Sequence, residues 1–202
     1  MNILPLFSVP LYHNETNESF TDEINSVTSL NKTPAAYNKV SQDNDILLRN
    51  EFAKCKHVCE YHLNQYVRNT FNCSQEFYII NSWAAQSAPG ERHGSHFHPN
   101  SIVSGVLYLQ CEKDAGDIIF RHKSSLRKDF NFAYTYQDYN IFNSDTWKYT
   151  VNTGDILIFP GWVEHSVEEN KSSKDRIVLG FNAFVRGEFG TQSNDYSSKL
   201  IL

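Results

Sequence analysis

From Glu76 onward the chain is a succession of short apolar or alternating runs, cut by glycine, proline, asparagine and aspartate. That punctuation leaves little room for helices and restricts the fold to a mainly β architecture. Phe77 to Ala85 is a β-run ended by the turn signal Ser87-Ala88-Pro89-Gly90. Ser101 to Leu109 follows, then Asp117 to Phe120 after Gly116, with Phe132 to Tyr136 and Thr146 to Val151 as weaker strands. Gly154 to Trp162 closes a strong strand on Pro160-Gly161. After His165-Ser166-Val167 a polar loop, Glu168 to Asp175, leads to a last strand over Arg176 to Val185. About eight short strands behind one long helix predict a β-sandwich or jelly roll with helices packed outside. An aromatic share of 14% suits such an interior.

The part before Glu76 reads as support. Leu4 to Tyr12 mixes apolar residues with prolines, which predicts a short edge strand. Residues 13–45 are polar and loop-like apart from a short helix over Phe20 to Leu30. A long helix is expected from about Asp45 to about Asn69, where Leu48, Phe52, Cys55, Cys59, Leu63, Tyr66 and Val67 recur at three- and four-residue steps. One domain is expected over 1–202: strand and helices over 1–75, the β core over 76–186, and a tail over 187–202 that docks back through Lys199 to Leu202.

The net charge of -5, with no basic run, argues against a generic nucleic-acid or membrane-surface binder. Met1 to Pro10 has two prolines and no positive leader, so neither a signal peptide nor a membrane span is expected there. The four cysteines form no Cys-x-x-Cys, and Cys55 and Cys59 suit helix packing, which points to a reducing cytoplasm.

The chemistry concentrates in His93-Gly94-Ser95-His96-Phe97-His98. On a strand, His96 and His98 would turn their rings to one face, half of a transition-metal site. His165, delivered after the Pro160-Gly161 turn, is the natural third ligand, and three facial ligands leave positions for a chelating substrate and dioxygen. His93 is a weaker alternative, and His13, His57, His62 and His122 read as structural. The short loop after Val167 suggests an antiparallel hairpin that sets His165, Arg176, Val178, Gly180 and Asn182 on one face. An inward arginine there would call for an anion, unless Arg176 merely faces water or pairs with Glu168 or Asp175.

His96-Phe97-His98-Pro99-Asn100-Ser101, Ser104-Gly105-Val106-Leu107-Tyr108, Gly154 to Pro160 with Trp162 and His165-Ser166-Val167, and Arg176-Ile177 with Gly180-Phe181-Asn182 resemble the 2-oxoglutarate- and iron(II)-dependent oxygenases common in marine bacteria and their phages. These are distantly similar to prolyl hydroxylases. The resemblance implies a double-stranded β-helix, Fe(II) and 2-oxoglutarate as cofactors, and hydroxylation of an unidentified substrate by O2 with release of succinate and CO2. It implies a metal set of His96, His98 and His165, with no catalytic residue beyond the metal centre. Arg176 would meet the far carboxylate of 2-oxoglutarate, with Tyr108, Ser104 and Asn182 as further co-substrate contacts. A phage gene would place the protein in its host's cytoplasm. The sequence departs from most such enzymes at His98, where an acid is usual. Either three histidines hold the iron, or His98 stands beside it and a carboxylate comes from elsewhere. A cupin-type metal enzyme without 2-oxoglutarate is the alternative, although Asn100 to Gly105 lacks the usual cupin glutamate. A non-enzymatic jelly-roll binding or structural module is the third reading. The irregular stretch 121–145, with Arg121, Lys123, Arg127 and Lys128, is expected to act as a substrate lid.

Overall fold

A computed structural model describes residues 2–5, 7–35, 37–122, 135–190 and 199–202. The strands are β1 (Tyr12–Glu15), β2 (Lys32–Pro34), β3 (Lys39–Ser41), β4 (Glu76–Ser87), β5 (His93–His96), β6 (Val103–Gln110), β7 (Ile118–Arg121), β8 (Thr146–Tyr149), β9 (Asp155–Pro160), β10 (Glu164–Val167), β11 (Arg176–Arg186), β12 (Glu188–Phe189) and β13 (Leu200–Ile201). The helices are α1 (Thr21–Ser29) and α2 (Ala53–Thr70). A seven-stranded sheet ordered β1-β9-β6-β11-β4-β3-β2 faces a four-stranded sheet ordered β5-β10-β7-β8. This is the double-stranded β-helix, with the two helices outside.

The strand period of two builds both layers of the core. On β9, Ile156 and Ile158 pack toward the helices with Cys55, Cys59 and Leu63 of α2, while Leu157 and Phe159 point between the sheets with Tyr108, Ile118 and Phe120. On β11, Ile177, Leu179, Phe181 and Ala183 take the helix side. Their neighbours Arg176, Val178 and Gly180 line a cavity between the sheets. Central strands covered on both faces read as near-continuous apolar runs, which is why β6, β9 and β11 fall where the sequence places them. Phe181 is fully buried, and its ring lies over Gly105, where a Cβ would come within 2.2 Å. Phe181→Ala should therefore cost about 3–5 kcal/mol in urea unfolding. Leu48→Ala, at a side chain 71% exposed, should stay within about 0.5 kcal/mol.

Leu48 is exposed because the long helix begins later than the sequence pattern suggests. The long helix starts at Ala53, after two 3₁₀ turns over Ile46–Leu48 and Asn50–Phe52, and not at Asp45. The segment is pinned to β4 instead: the Leu47 N–H donates to Ser82 Oγ at 2.9 Å, and the Ser82 N–H donates to Asn44 O at 2.7 Å. The expected edge strand over Leu4 to Tyr12 also shifts, because the ladder with β9 begins at Tyr12, beyond Pro10. Residues 13–45 are less loop-like than expected, since β2 and β3 form a hairpin that extends the larger sheet past β4. The expected hairpin between the His165 and Arg176 strands does not form. β10 pairs with β5 and β7, whereas β11 pairs with β4 and β6, so the loop between them crosses from one sheet to the other. Asn170 holds that crossing, donating through Nδ2 to Ser87 O at 2.9 Å and Lys174 O at 2.8 Å.

Most of the expected strand over Phe132 to Tyr136, and Lys123, Arg127 and Lys128 of the expected lid, lie outside the described residues. In the tail, β13 pairs with β12. Cys55, Cys59 and Cys111 are buried free thiols and Cys73 is exposed. Among the described residues no helix is long and apolar enough to cross a membrane.

Candidate metal and co-substrate site

Three imidazoles converge at one end of the space between the sheets. His96 closes β5 and is the cross-strand partner of His165 on β10. His98 arrives differently from the expected strand register. It lies beyond the end of β5, where Pro99 and the left-handed Asn100 (φ 61°) turn the chain. A backbone clip places it: the His98 N–H donates to Gly161 O at 2.9 Å, and the Gly161 N–H donates to Ile102 O at 3.0 Å. The Pro160-Gly161 turn before His165 and the turn after His96 are thereby tied together.

The ring centroids stand 4.3 Å (His96–His165), 5.1 Å (His96–His98) and 5.1 Å (His98–His165) apart. One ligand atom from each lies within 4.8 Å of the others, and among the described residues no carboxylate joins the set. Two rings have a defined tautomer. His96 Nδ1 donates to Gly94 O at 2.8 Å and His165 Nδ1 donates to Val163 O at 3.0 Å. A carbonyl only accepts, so each Nδ1 carries a proton, and the neutral ring has its lone pair at Nε2. Burial, reinforced by neighbouring His96, pushes the His165 pKa down to about 3 and that of His98 to about 4. These rings are neutral donors at physiological pH. The cluster fits a divalent transition metal.

The triad forms one end of a narrow cavity of about 60 Å³, whose walls include Trp83, His93, Tyr108, Phe159, Arg176 and Gly180. Arg176 comes from the opposite sheet, and its side chain is 3% exposed. Its guanidinium donates to Ala115 O, to Glu168 O at 3.2 Å and to Ser87 Oγ at 3.2 Å, all uncharged acceptors. It has no carboxylate partner among the described residues, so neither expected pairing, with the Glu168 or Asp175 side chain, forms. Gly116, at φ +95°, makes room for it: a Cβ there would come within 2.8 Å of Arg176 Nη1. A buried guanidinium without an anion is costly, and a ligand carboxylate would offset that cost.

Tyr108 is buried against the same cavity, and burial raises its pKa well above that of a free phenol, so it stays a neutral hydroxyl. Ser104 and Asn182 share its strand face but do not line the cavity. Ser104 Oγ donates to Asn182 Oδ1 at 2.7 Å and sits 3.2 Å from Ser101 Oγ, beside the Pro160-Gly161 turn.

Trp83 carried no signal in the sequence beyond its place in a β-run. Its ring lies 5.4 Å from that of His98, and it fits only because residue 180 is glycine, where a Cβ would come within 2.5 Å of the indole. Gly180→Ala should push the indole toward His98, lowering stability by about 1–3 kcal/mol and weakening metal uptake; thermal melts and metal analysis check both.

A larger cavity, about 860 Å³, lies elsewhere. Ser95, Ile119, Arg121, Lys148 and Ser166 give it a wall from every strand of the smaller sheet. Ser95 and Ser166 alternate with His96 and His165, so this open polar groove lies on the far face from those two rings, with His93 lining both cavities.

A family model described as "Putative 2OG-Fe(II) oxygenase" matches residues 81–182. Among similar solved structures is HygX from Streptomyces hygroscopicus with nickel and 2-oxoglutarate bound (TM-score 0.61, 12% identity, 87% of this chain and 82% of that one). A prolyl-4-hydroxylase from Pseudomonas putida gives a TM-score of 0.56 at 14% identity, over 87% of this chain and 92% of that one. A 2OG-Fe(II) oxygenase-family oxidoreductase from Burkholderia pseudomallei gives 0.57 at 12% identity, over 80% and 75%. At these identities the structures speak for the fold. No curated protein matches the sequence.

Proposed function

The chain belongs to the 2OG-Fe(II) oxygenase family, and from that premise we propose that His96, His98 and His165 hold the iron while Arg176 and Tyr108 receive 2-oxoglutarate. The observation that carries this reading is the buried Arg176, which has no carboxylate partner among the described residues and shares its cavity with three imidazoles. When bound, iron with 2-oxoglutarate and O2 supplies an oxidation that releases succinate and CO2, here directed at hydroxylating a prime substrate.

The chain's own residues do the positioning. The Nδ1–H bonds of His96 and His165 lock two rings with their Nε2 lone pairs free. Arg176 offers a planar fork to the distal carboxylate, and the Tyr108 hydroxyl stands in the same wall. Val106, Ile118, Phe159 and Val178 keep the remaining wall apolar and exclude water. A cupin-type enzyme without 2-oxoglutarate would leave Arg176 no anion.

The ligand set has a thermodynamic consequence. Three neutral imidazole ligands leave the full divalent charge of the metal uncompensated, and a dianion in the cavity then offsets two of the three positive charges carried by the metal and Arg176. Metal and 2-oxoglutarate should therefore bind with strong mutual coupling. Melting curves with Mn(II), with 2-oxoglutarate and with both test this. The expected result is a rise in Tm for the pair well beyond the sum of the separate effects. Stabilisation by Mn(II) with no response to 2-oxoglutarate would favour the cupin reading, and no response to any transition metal would remove both. The unpaired thiols support a reducing cytoplasm as its location, that of a bacterial host if the gene is a phage's.

A further inference from the structure

We propose that His93 is a positioning residue for the co-substrate: the Asn38 amide at the tip of the β2–β3 hairpin fixes its tautomer, so that its Nε2–H donates to the bound dianion. The inference rests on the reading of the cavity as a 2-oxoglutarate site. Both residues line that cavity with the triad, Tyr108 and Arg176. The His93 ring stacks on His96, with centroids 4.4 Å apart and planes 26° from parallel, yet it is not one of the converging ligand set.

The proton assignments divide the four rings by task. Asn38 is 5% exposed, and its Nδ2 donates to His93 Nδ1 at 3.0 Å. A ring nitrogen that accepts a hydrogen bond carries no proton, so the neutral His93 imidazole has its proton on Nε2. His96 and His165 are protonated the other way, at Nδ1. Two rings thus keep Nε2 lone pairs suited to a cation, and their neighbour keeps an N–H suited to an anion. A ring that accepts at Nδ1 and carries its proton at Nε2 is neutral, so the Asn38 bond fixes charge and tautomer together.

Anchoring the hairpin does not require the Asn38–His93 bond. The Arg92 N–H donates to Tyr37 O at 3.3 Å, and the Arg92 guanidinium lies 4.6 Å over the Tyr37 ring. The same ring packs on Gly94, where a Cβ would come within 3.2 Å. With the tip already held at Tyr37, the Asn38 amide is available to orient His93.

Anaerobic titration of the Fe(II) protein with 2-oxoglutarate, followed by its visible charge-transfer band, tests the inference in wild type, His93→Leu and His93→Gln. Losing a hydrogen bond to a charged group should weaken 2-oxoglutarate binding about tenfold or more in His93→Leu. In His93→Gln the carboxamide N–H replaces Nε2–H, so binding should return to within about threefold of wild type. Iron affinity should be unchanged in both. Unaltered 2-oxoglutarate binding in His93→Leu would overturn the inference. So would a parallel loss of iron, which would make His93 a ligand, or a failure of His93→Gln to rescue. If His93→Leu does not fold, Asn38→Ala carries the test: about threefold weaker binding is expected, and wild-type binding would overturn the proposal. A wild-type protein that binds iron and never takes up 2-oxoglutarate would instead sink the reading of the site itself.

Discussion

Replacing His165 with alanine should abolish stoichiometric iron binding, with an affinity loss exceeding the about 10–100-fold typical of removing a group that merely supports a ligand. His165 joins the two halves of the site: it pairs with His96 across the strands and its ring stands 5.1 Å from that of His98. It is also the most deeply buried of the three, so its removal leaves two donors that cannot close around an ion. His13→Ala is the control. His13 bonds Asp155 at 2.8 Å away from the triad, so this variant should lose a little stability and keep its iron. His98→Asp is informative in a different way. It restores the acid usual in such enzymes, so it should retain iron where His98→Ala does not, and it should weaken the coupling between metal and 2-oxoglutarate by neutralising part of the metal's charge. Metal analysis after desalting reads all four variants.

Arg176→Met should raise the dissociation constant for 2-oxoglutarate by about 10²-fold or more, because truncating one partner of a buried charge pair costs about 2–5 kcal/mol. Its effect on the ligand-free protein should be far smaller. The guanidinium is buried against uncharged acceptors with no carboxylate among the described residues, so an apolar chain of similar length relieves one desolvation cost while leaving Ala115 O and Glu168 O without their donor. A large loss of ligand-induced stabilisation beside a nearly unchanged apo Tm is the expected signature. Arg176→Lys should fall between, since an ammonium keeps the charge but loses the fork. Comparing ligand-induced shifts in Tm across the three proteins checks the series.

How much of this was legible in the sequence depended on burial and distance. β6, β9 and β11 are covered on both faces, so their apolar runs announce them. β2 and β3 are three residues each and mostly polar, and their hairpin is held through β3 to a strand more than forty residues away, so little in the local sequence marks them. The periodic pattern from Asp45 is real, but the pull of Ser82 on the Leu47 N–H outweighs helix propensity there. In the site, His96, His98, His165 and Arg176 were readable as residue types at suggestive spacings. The route between them was not. The short polar loop suggests a hairpin, yet the structure brings His165 and Arg176 together from facing sheets. Strand parity alone would aim His98, yet a backbone bond to Gly161 places it. Asn38 could not have been found from sequence, because its partner lies 55 positions away and only the hairpin brings them into contact.

A crystal structure with Mn(II) and 2-oxoglutarate tests whether three histidines, two from a strand pair and one from the turn beyond it, hold iron beside an arginine from the other sheet. The expected result is one metal ion bound by His96, His98 and His165, with a 2-oxoglutarate carboxylate on Arg176. A metal held without His98, with a carboxylate side chain in its place, or a co-substrate that leaves Arg176 without an anion, would contradict it.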